Sequence, residues 1–238
     1  MIMNDLMFIA EIGSNWFGKV EVGKYLQERA KAAGATAVKY QLWKADELYT
    51  DPKWKYFDFV RKAELSYEVA QELKEHADSI GIGFFCSVHT KQDIKFLKDI
   101  GAPFIKIKCS QNEDMDLLEY ADSFDLDVIL SQEYERDAIY LREKILYTTP
   151  KYPSEFIDLD FEELSKEWYD GFSDHTKGIE ASLVAAAYPN IRIFERHFTA
   201  FLGSEFNLNE SGTPDYSVSL YPTEFEKMCK KIRHIKGE

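Results

Sequence analysis

The segment GFFCSVHTKQDIKFLKDIGAPFIKIKCS, residues 83–110, carries the pattern that decides the fold. It opens with an apolar run, Gly83–Ser87, passes through a helix-length amphipathic stretch, Lys91–Ile100, behind Thr90, and returns to a second apolar run, Phe104–Lys108. Strand, helix and strand in succession form one βαβ unit, and such units build parallel sheets. The same rhythm extends in both directions. Further strands are expected at Phe8–Ile12, Ala37–Leu42, Asp127–Ser131, Lys144–Tyr147, Gly171–Ser173 and Arg192–Glu195. Helices are expected at Glu21–Ala33, at Tyr67–Ile80 behind a Ser66 cap, and at Glu224–Ile235, which would open on a Thr223/Glu226 capping box. Glycines 81 and 101 each close a helix in the left-handed conformation before the next strand. Between Ser131 and Lys144 only a short helix fits. Eight strands in 238 residues predict a single-domain (β/α)8 TIM barrel over residues 1–238.

Composition narrows the partners. A net charge of −13 disfavours nucleic acid and anionic membranes, both of which need a basic face to displace counterions. No stretch approaches the ~18 uncharged apolar residues of a membrane span. The amino terminus, MIMNDLMFIAEIG, lacks the basic region of a secretion signal, so a cytoplasmic location is expected. Cys86, Cys109 and Cys229 are odd in number and lack metal-type spacing, which argues against a disulfide framework.

Strands covered on both faces should be almost wholly apolar, so polar residues at their ends need a reason. Alternation places Lys39 and Gln41 on one face of AVKYQLW, and Lys106, Lys108 and Ser110 on one face of FIKIKCS. Such lysines either snorkel to solvent or converge at the barrel mouth. Three other strands end in Ser87, Ser131 and Ser173, and lysines ringed by hydroxyls make an anion pocket. His175 follows the seventh strand and His197 ends the eighth, so neighbouring strands present two imidazoles. That pair is half of a divalent metal site, the alternative being two hydrogen-bonded core histidines. His76 and His234 are expected on helix surfaces, and His89 in a loop over the mouth. Glu11 sits in the apolar run FIAEIG, where an ionisable group is costly unless it functions, and Asp215 lies in a loop overhanging the same mouth.

Taken together, FIAEIGSNWFG, AVKYQLWKADELYT, the ELS at 64–66, FIKIKCS, VILS, the YP at 152–153, SDHTKGIEASL, ERHFT and TPDYSVSL resemble the catalytic barrel of the sialic acid (N-acetylneuraminate) synthases, across nearly the whole chain. AEIG, SDHT and ERHFT are the most specific of these pieces. The resemblance implies condensation of phosphoenolpyruvate with an amino sugar such as N-acetylmannosamine, giving a nonulosonic acid and phosphate. It implies that Lys39, Ser87, Lys106, Ser131 and Ser173 hold phosphoenolpyruvate, and that His175 and His197 bind manganese or magnesium. It further implies that Gln41, Tyr152, Glu11 and Asp215 face the sugar, with Glu11 and Asp215 as the catalytic carboxylates.

Departures from the family pattern fall mainly on the acceptor side. The family's N-H-N-G turn is Asn15, Trp16, Phe17, Gly18 here, and an expected asparagine is Pro150. After Lys106 the family has a small residue and then Ser-Gly-Glu or Ser-Gly-Asp, where this chain has Lys108, Cys109, Ser110 and Gln111; the Ser-Thr-Gly of strand five is Ser131, Gln132, Glu133. The C-terminal antifreeze-like domain of the family is expected to be missing, leaving a barrel alone, a homodimer, or a complex with a partner that supplies the domain. Two other readings stay open on the sequence. One is a class I aldolase with Lys106 or Lys108 as the Schiff-base lysine. The other is a non-catalytic or partner-dependent barrel that binds a sugar or an anion.

Overall fold

Eight strands follow one another along the chain: β1 (Met7–Glu11), β2 (Ala37–Gln41), β3 (Gly83–Ser87), β4 (Phe104–Ile107), β5 (Asp127–Gln132), β6 (Glu143–Thr148), β7 (Gly171–Asp174) and β8 (Ile193–His197). Each pairs in parallel with the next, and β8 pairs with β1, so the sheet closes into a barrel. The computed structural model describes residues 6–48, 51, 53–108, 114–124, 126–133, 143–149, 151–201 and 215–238. Cys109, Ser110, Gln111, Pro150 and the short helix expected after Ser131 lie outside these.

The helices among the described residues are α1 (Val20–Ala32), α2 (Ala45–Leu48), α3 (Phe57–Lys62), α4 (Tyr67–Ile80), α5 (Lys91–Asp99), α6 (Met115–Asp122), α7 (Phe161–Leu164), α8 (Glu180–Ala185) and α9 (Pro222–Lys236). Ser66 caps α4 through the backbone N–H of Val69, and Thr90 with Asp93 forms a reciprocal capping box on α5. Gly81 and Gly101 take the left-handed conformation at φ 68° and 72°. The start of α9 differs from expectation. Pro222 occupies its first turn, where a missing N–H costs nothing, and the Glu224 carboxylate accepts the backbone N–H of Tyr221 at 2.9 Å. Thr223 is therefore inside the helix, and Glu226 pairs instead with Lys230 at 2.5 Å.

Two apolar layers result from strand alternation. Outward residues such as Phe8, Val38, Phe84, Ile105 and Phe194 pack against the helices. Inward residues Met7, Ile9, Ala37, Phe85, Phe104, Ile129, Leu146 and Ile193 fill the lower barrel as a separate cluster. Two residues further along each strand the inward position changes character: Ile9 gives way to Glu11, Ala37 to Lys39, Phe85 to Ser87, Phe104 to Lys106, Ile129 to Ser131, Leu146 to Thr148 and Ile193 to Glu195. An apolar plug thus supports a polar floor at the carboxyl ends of the strands, where enzymes of this fold place their chemistry.

Candidate active site

Register brings the polar floor together. Glu11 lies opposite Lys39 on one side and His197 on the other, Gln41 opposite Ser87, Ser87 opposite Lys106, and Ser173 opposite both Thr148 and Glu195. A cavity of about 430 Å³ opens above them. All the predicted residues line it: Glu11, Lys39, Gln41, Ser87, Lys106, Ser131, Tyr152, Ser173, His175, His197 and Asp215. Trp43, Trp54 and Val60, from the segment after β2, form an apolar wall on the same cavity.

The lysines do not snorkel. Lys39 is 5% exposed and Lys106 1%, and what makes this affordable is Glu195, a residue that sequence reasoning passed over. Its carboxylate lies 3.2 Å from Lys39 Nζ and 3.3 Å from Lys106 Nζ, and accepts the Ser173 hydroxyl at 2.8 Å. Burial alone would raise the Glu195 carboxyl, but Lys106 and Lys39 together hold it well below the usual range. Burial would likewise lower Lys39, yet Glu11 and Glu195 keep it above the ordinary lysine value. For Lys106 burial wins over its one carboxylate, and the ammonium falls to about 8. The missed signal was alternation in IFERH, which puts Ile193, Glu195 and His197 on one inward face.

Glu11 behaves oppositely to Glu195. Burial pushes its carboxyl up to about 8, Lys39 only partly offsetting this at 3.3 Å from Oε2. Two buried carboxylates whose environments drive them apart are a recurring acid and base arrangement. A chain of donors also orients Glu11. Trp43 Nε1–H can only donate, and it bonds Gln41 Oε1 at 2.8 Å; the Gln41 amide nitrogen therefore faces Glu11 Oε1, at 2.5 Å. Oε1 accepts from Gln41, and Oε2 faces the Lys39 ammonium at 3.3 Å. Asp215 is anchored across the end of β1 by the Ser14 backbone N–H at 2.9 Å and hydroxyl at 2.6 Å. Gly13 permits this approach, since a Cβ there would sit 2.6 Å from Asp215 Oδ2 and the backbone is left-handed at φ 50°.

The two imidazoles stand with ring centroids 5.7 Å apart, and both Nε2 atoms face the Tyr152 hydroxyl, at 2.7 Å from His175 and 3.5 Å from His197. His175 Nδ1 lies 3.1 Å from the Thr149 carbonyl, which can only accept, so Nδ1 carries the hydrogen and Nε2 the lone pair. Burial lowers both rings, His175 to about 3, so neither is charged near neutral pH. Behind them, on the outward face, a fully buried Asp174–Arg196 ion pair joins the ends of β7 and β8. Neutral, converging nitrogens suit a divalent cation. The described residues hold no cluster of three or more His, Cys, Asp or Glu ligands, so the pair would leave further positions to water and substrate.

The remaining histidines separate cleanly. His89 lines the cavity, where burial and then the Lys108 charge lower it to about 3. His76 is half-buried beside Glu28, at 3.4 Å, rather than a plain surface residue, while His234 is exposed.

Comparison with known proteins matches this architecture to one family. Its sequence pattern covers residues 26–237 of the chain. N,N'-diacetyllegionaminic acid synthase of Campylobacter jejuni is 29% identical over 98% of this chain and 77% of its own length. N-acetylneuraminate-9-phosphate synthase of Drosophila melanogaster is 27% identical over 99% and 72% respectively. The crystal structure of N-acetylneuraminic acid (sialic acid) synthetase from Leptospira borgpetersenii serovar Hardjo-bovis, in complex with citrate, superposes with a TM-score of 0.87 at 25% identity, covering 99% of this chain and 85% of that one. The protein belongs to the NeuB family.

Proposed function

We propose that this chain condenses phosphoenolpyruvate with an aldehyde amino sugar, N-acetylmannosamine or a related sugar, to give a nonulosonic acid and phosphate. The observation that carries the reading is the floor of Lys39, Lys106 and Glu195, ringed by serine hydroxyls and flanked by two neutral imidazoles. The synthase relatives in sialic, legionaminic and pseudaminic acid formation support the same chemistry.

In this mechanism Lys39, Lys106, Ser87, Ser131 and Ser173 bind the anionic donor, while Gln41, Tyr152 and Asp215 face the acceptor. Glu11 serves as the acid. As C3 of phosphoenolpyruvate bonds to the aldehyde carbon, the aldehyde oxygen takes the Glu11 proton and becomes a hydroxyl. Water adds to the electron-poor C2 and returns a proton to Glu11. The C2–O bond to phosphate then breaks, phosphate leaves with the bonding pair and the new hydroxyl proton, and C2 becomes a ketone. His175 and His197 would hold manganese or magnesium, which supplies Lewis-acid polarisation of the aldehyde oxygen when bound. Trp43 holds Gln41, and the Gln41 amide in turn orients the Glu11 carboxyl through Oε1.

The test is phosphate release from phosphoenolpyruvate with manganese and a panel of N-acetylated hexosamines and their 2,4-diacetamido relatives. Release that needs both substrates, stops on chelation and resumes with manganese is expected. No release with any acceptor sinks the reading. So does a borohydride-trapped pyruvate adduct on the Lys106 peptide, which would make the protein a Schiff-base aldolase.

A further inference from the structure

The positive charge on the cavity floor is largely committed. Lys39 is shared between Glu11 and Glu195, and Lys106 faces Glu195. Two lysines face two carboxylates there, so little positive charge is left over for a ligand. A phosphate monoester brings about −1.5 to −2 near neutral pH, and the donor of the proposed reaction adds a carboxylate to that. The floor alone is therefore short of positive charge for its donor.

Lys108 is the remaining cavity lysine. It follows Lys106 by two residues, so alternation carries its side chain to the same inward face, and it lines the cavity above that lysine. Among the described residues no carboxylate pairs with it; burial is the one influence on its ammonium, and lowers it. The register of β4 with β5 runs Lys106 opposite Ile129 and Ile107 opposite Leu130, so one further step sets Lys108 beside Ser131. Ser87, on the other flank, is opposite Lys106. His89, neutral and able to donate or accept, borders the same corner.

The barrel mouth is thus divided. Glu11, Asp215, His175 and His197 gather at the ends of β1, β7 and β8, whereas Ser87, Lys108 and Ser131 gather at β3, β4 and β5, across the barrel. We propose that Lys108 is a third cation for the donor's phosphate group, closing a shelf whose sides are Ser87 and Ser131. The assignment rests on the synthase reading for the identity of the donor. It also makes the lysine a specificity element, favouring a phosphorylated donor over the unphosphorylated 2-oxoacid.

Calorimetric binding of phosphoenolpyruvate, inorganic phosphate and pyruvate to the wild type, Lys108→Gln and Lys108→Arg tests it, with acceptor KM measured alongside. Lys108→Gln should weaken phosphoenolpyruvate and inorganic phosphate each by about tenfold, the loss of one charged contact, and leave pyruvate unchanged. Lys108→Arg should keep most of the affinity, which separates lost charge from a damaged fold. Equal affinity of Lys108→Gln and wild type for both phosphate ligands overturns the assignment and leaves the synthase reading intact. A loss shared by pyruvate would move Lys108 to the carboxylate, and a change confined to acceptor KM would move it to the sugar; either outcome overturns the proposal. Wild type that binds neither phosphate ligand overturns the proposal together with the reading beneath it.

Discussion

At the scale of single residues the site turns on how differently two buried carboxyls are treated. Glu195 stays ionised between two lysines, while Glu11, with one lysine shared and little solvent, rises to about 8. This has a thermodynamic consequence whose sign is fixed. In the unfolded chain Glu11 ionises near its ordinary value of 4.5, whereas in the fold it holds its proton until about 8. Between those values the folded state binds more protons, so the Glu11 contribution to stability is complete below about 4.5 and is lost as pH rises through 8. Glu11→Gln lacks this loss. Urea midpoints at pH 5, 7 and 9 should therefore move in favour of the variant as pH increases, and a difference independent of pH would show that Glu11 is ionised in the fold. Lys39, Lys106, Glu11 and the histidine pair were legible because each is a polar residue at the end of an apolar run. Glu195 was not, because in FERH it stands among other charged residues and looks like an ordinary strand end.

Among elements, the strands were read closely and the short helices were missed. All eight strands lie within about two residues of their expected ends, since an apolar run is bounded by its own composition. The helices α6 and α8, of 8 and 6 residues, span too few turns for a periodic signal, and the four-residue α2 and α7 fewer still. Also invisible was what joins β7 to β8 behind the imidazoles. Asp174 accepts from the Thr176 backbone N–H and hydroxyl, the Ser182 hydroxyl of α8 and the Arg196 guanidinium, which in turn donates to the Thr176 and Val218 carbonyls. Asp174 precedes His175 and Arg196 precedes His197, so this buried pair ties together the two strand ends that carry the rings. Asp174→Asn would leave a buried guanidinium without its counter-charge, a loss of about 3–5 kcal/mol. In a double-mutant cycle measured by urea unfolding, adding Arg196→Met should cost less than the sum of the two single changes. Strict additivity would mean that the pair is not coupled.

For the whole molecule, the contrast is between a chain carrying a net charge of −13 and a cavity that gathers three lysines at one mouth. The acidic balance argues against a nucleic-acid partner, yet it does not repel every anion, because fields act over different ranges. Far from the mouth an approaching phosphoenolpyruvate meets the repulsion of the whole acidic surface, which salt screens over about 30 Å at 0.01 M and about 10 Å at 0.1 M. Inside, Lys39 and Lys106 are within ion-pair distance of their partners and buried, so salt screens them far less. The two effects oppose each other, and the long-range one is the more sensitive to salt. For a protein of the opposite charge, raising ionic strength would slow capture of this donor. Here kcat/KM for phosphoenolpyruvate should rise, by about two- to threefold between roughly 10 and 100 mM potassium chloride, as the repulsion is screened. Steady-state kinetics across that range decides the matter. A monotonic fall instead would mean that the lysine field extends beyond the mouth and governs approach, with the acidic exterior irrelevant to capture.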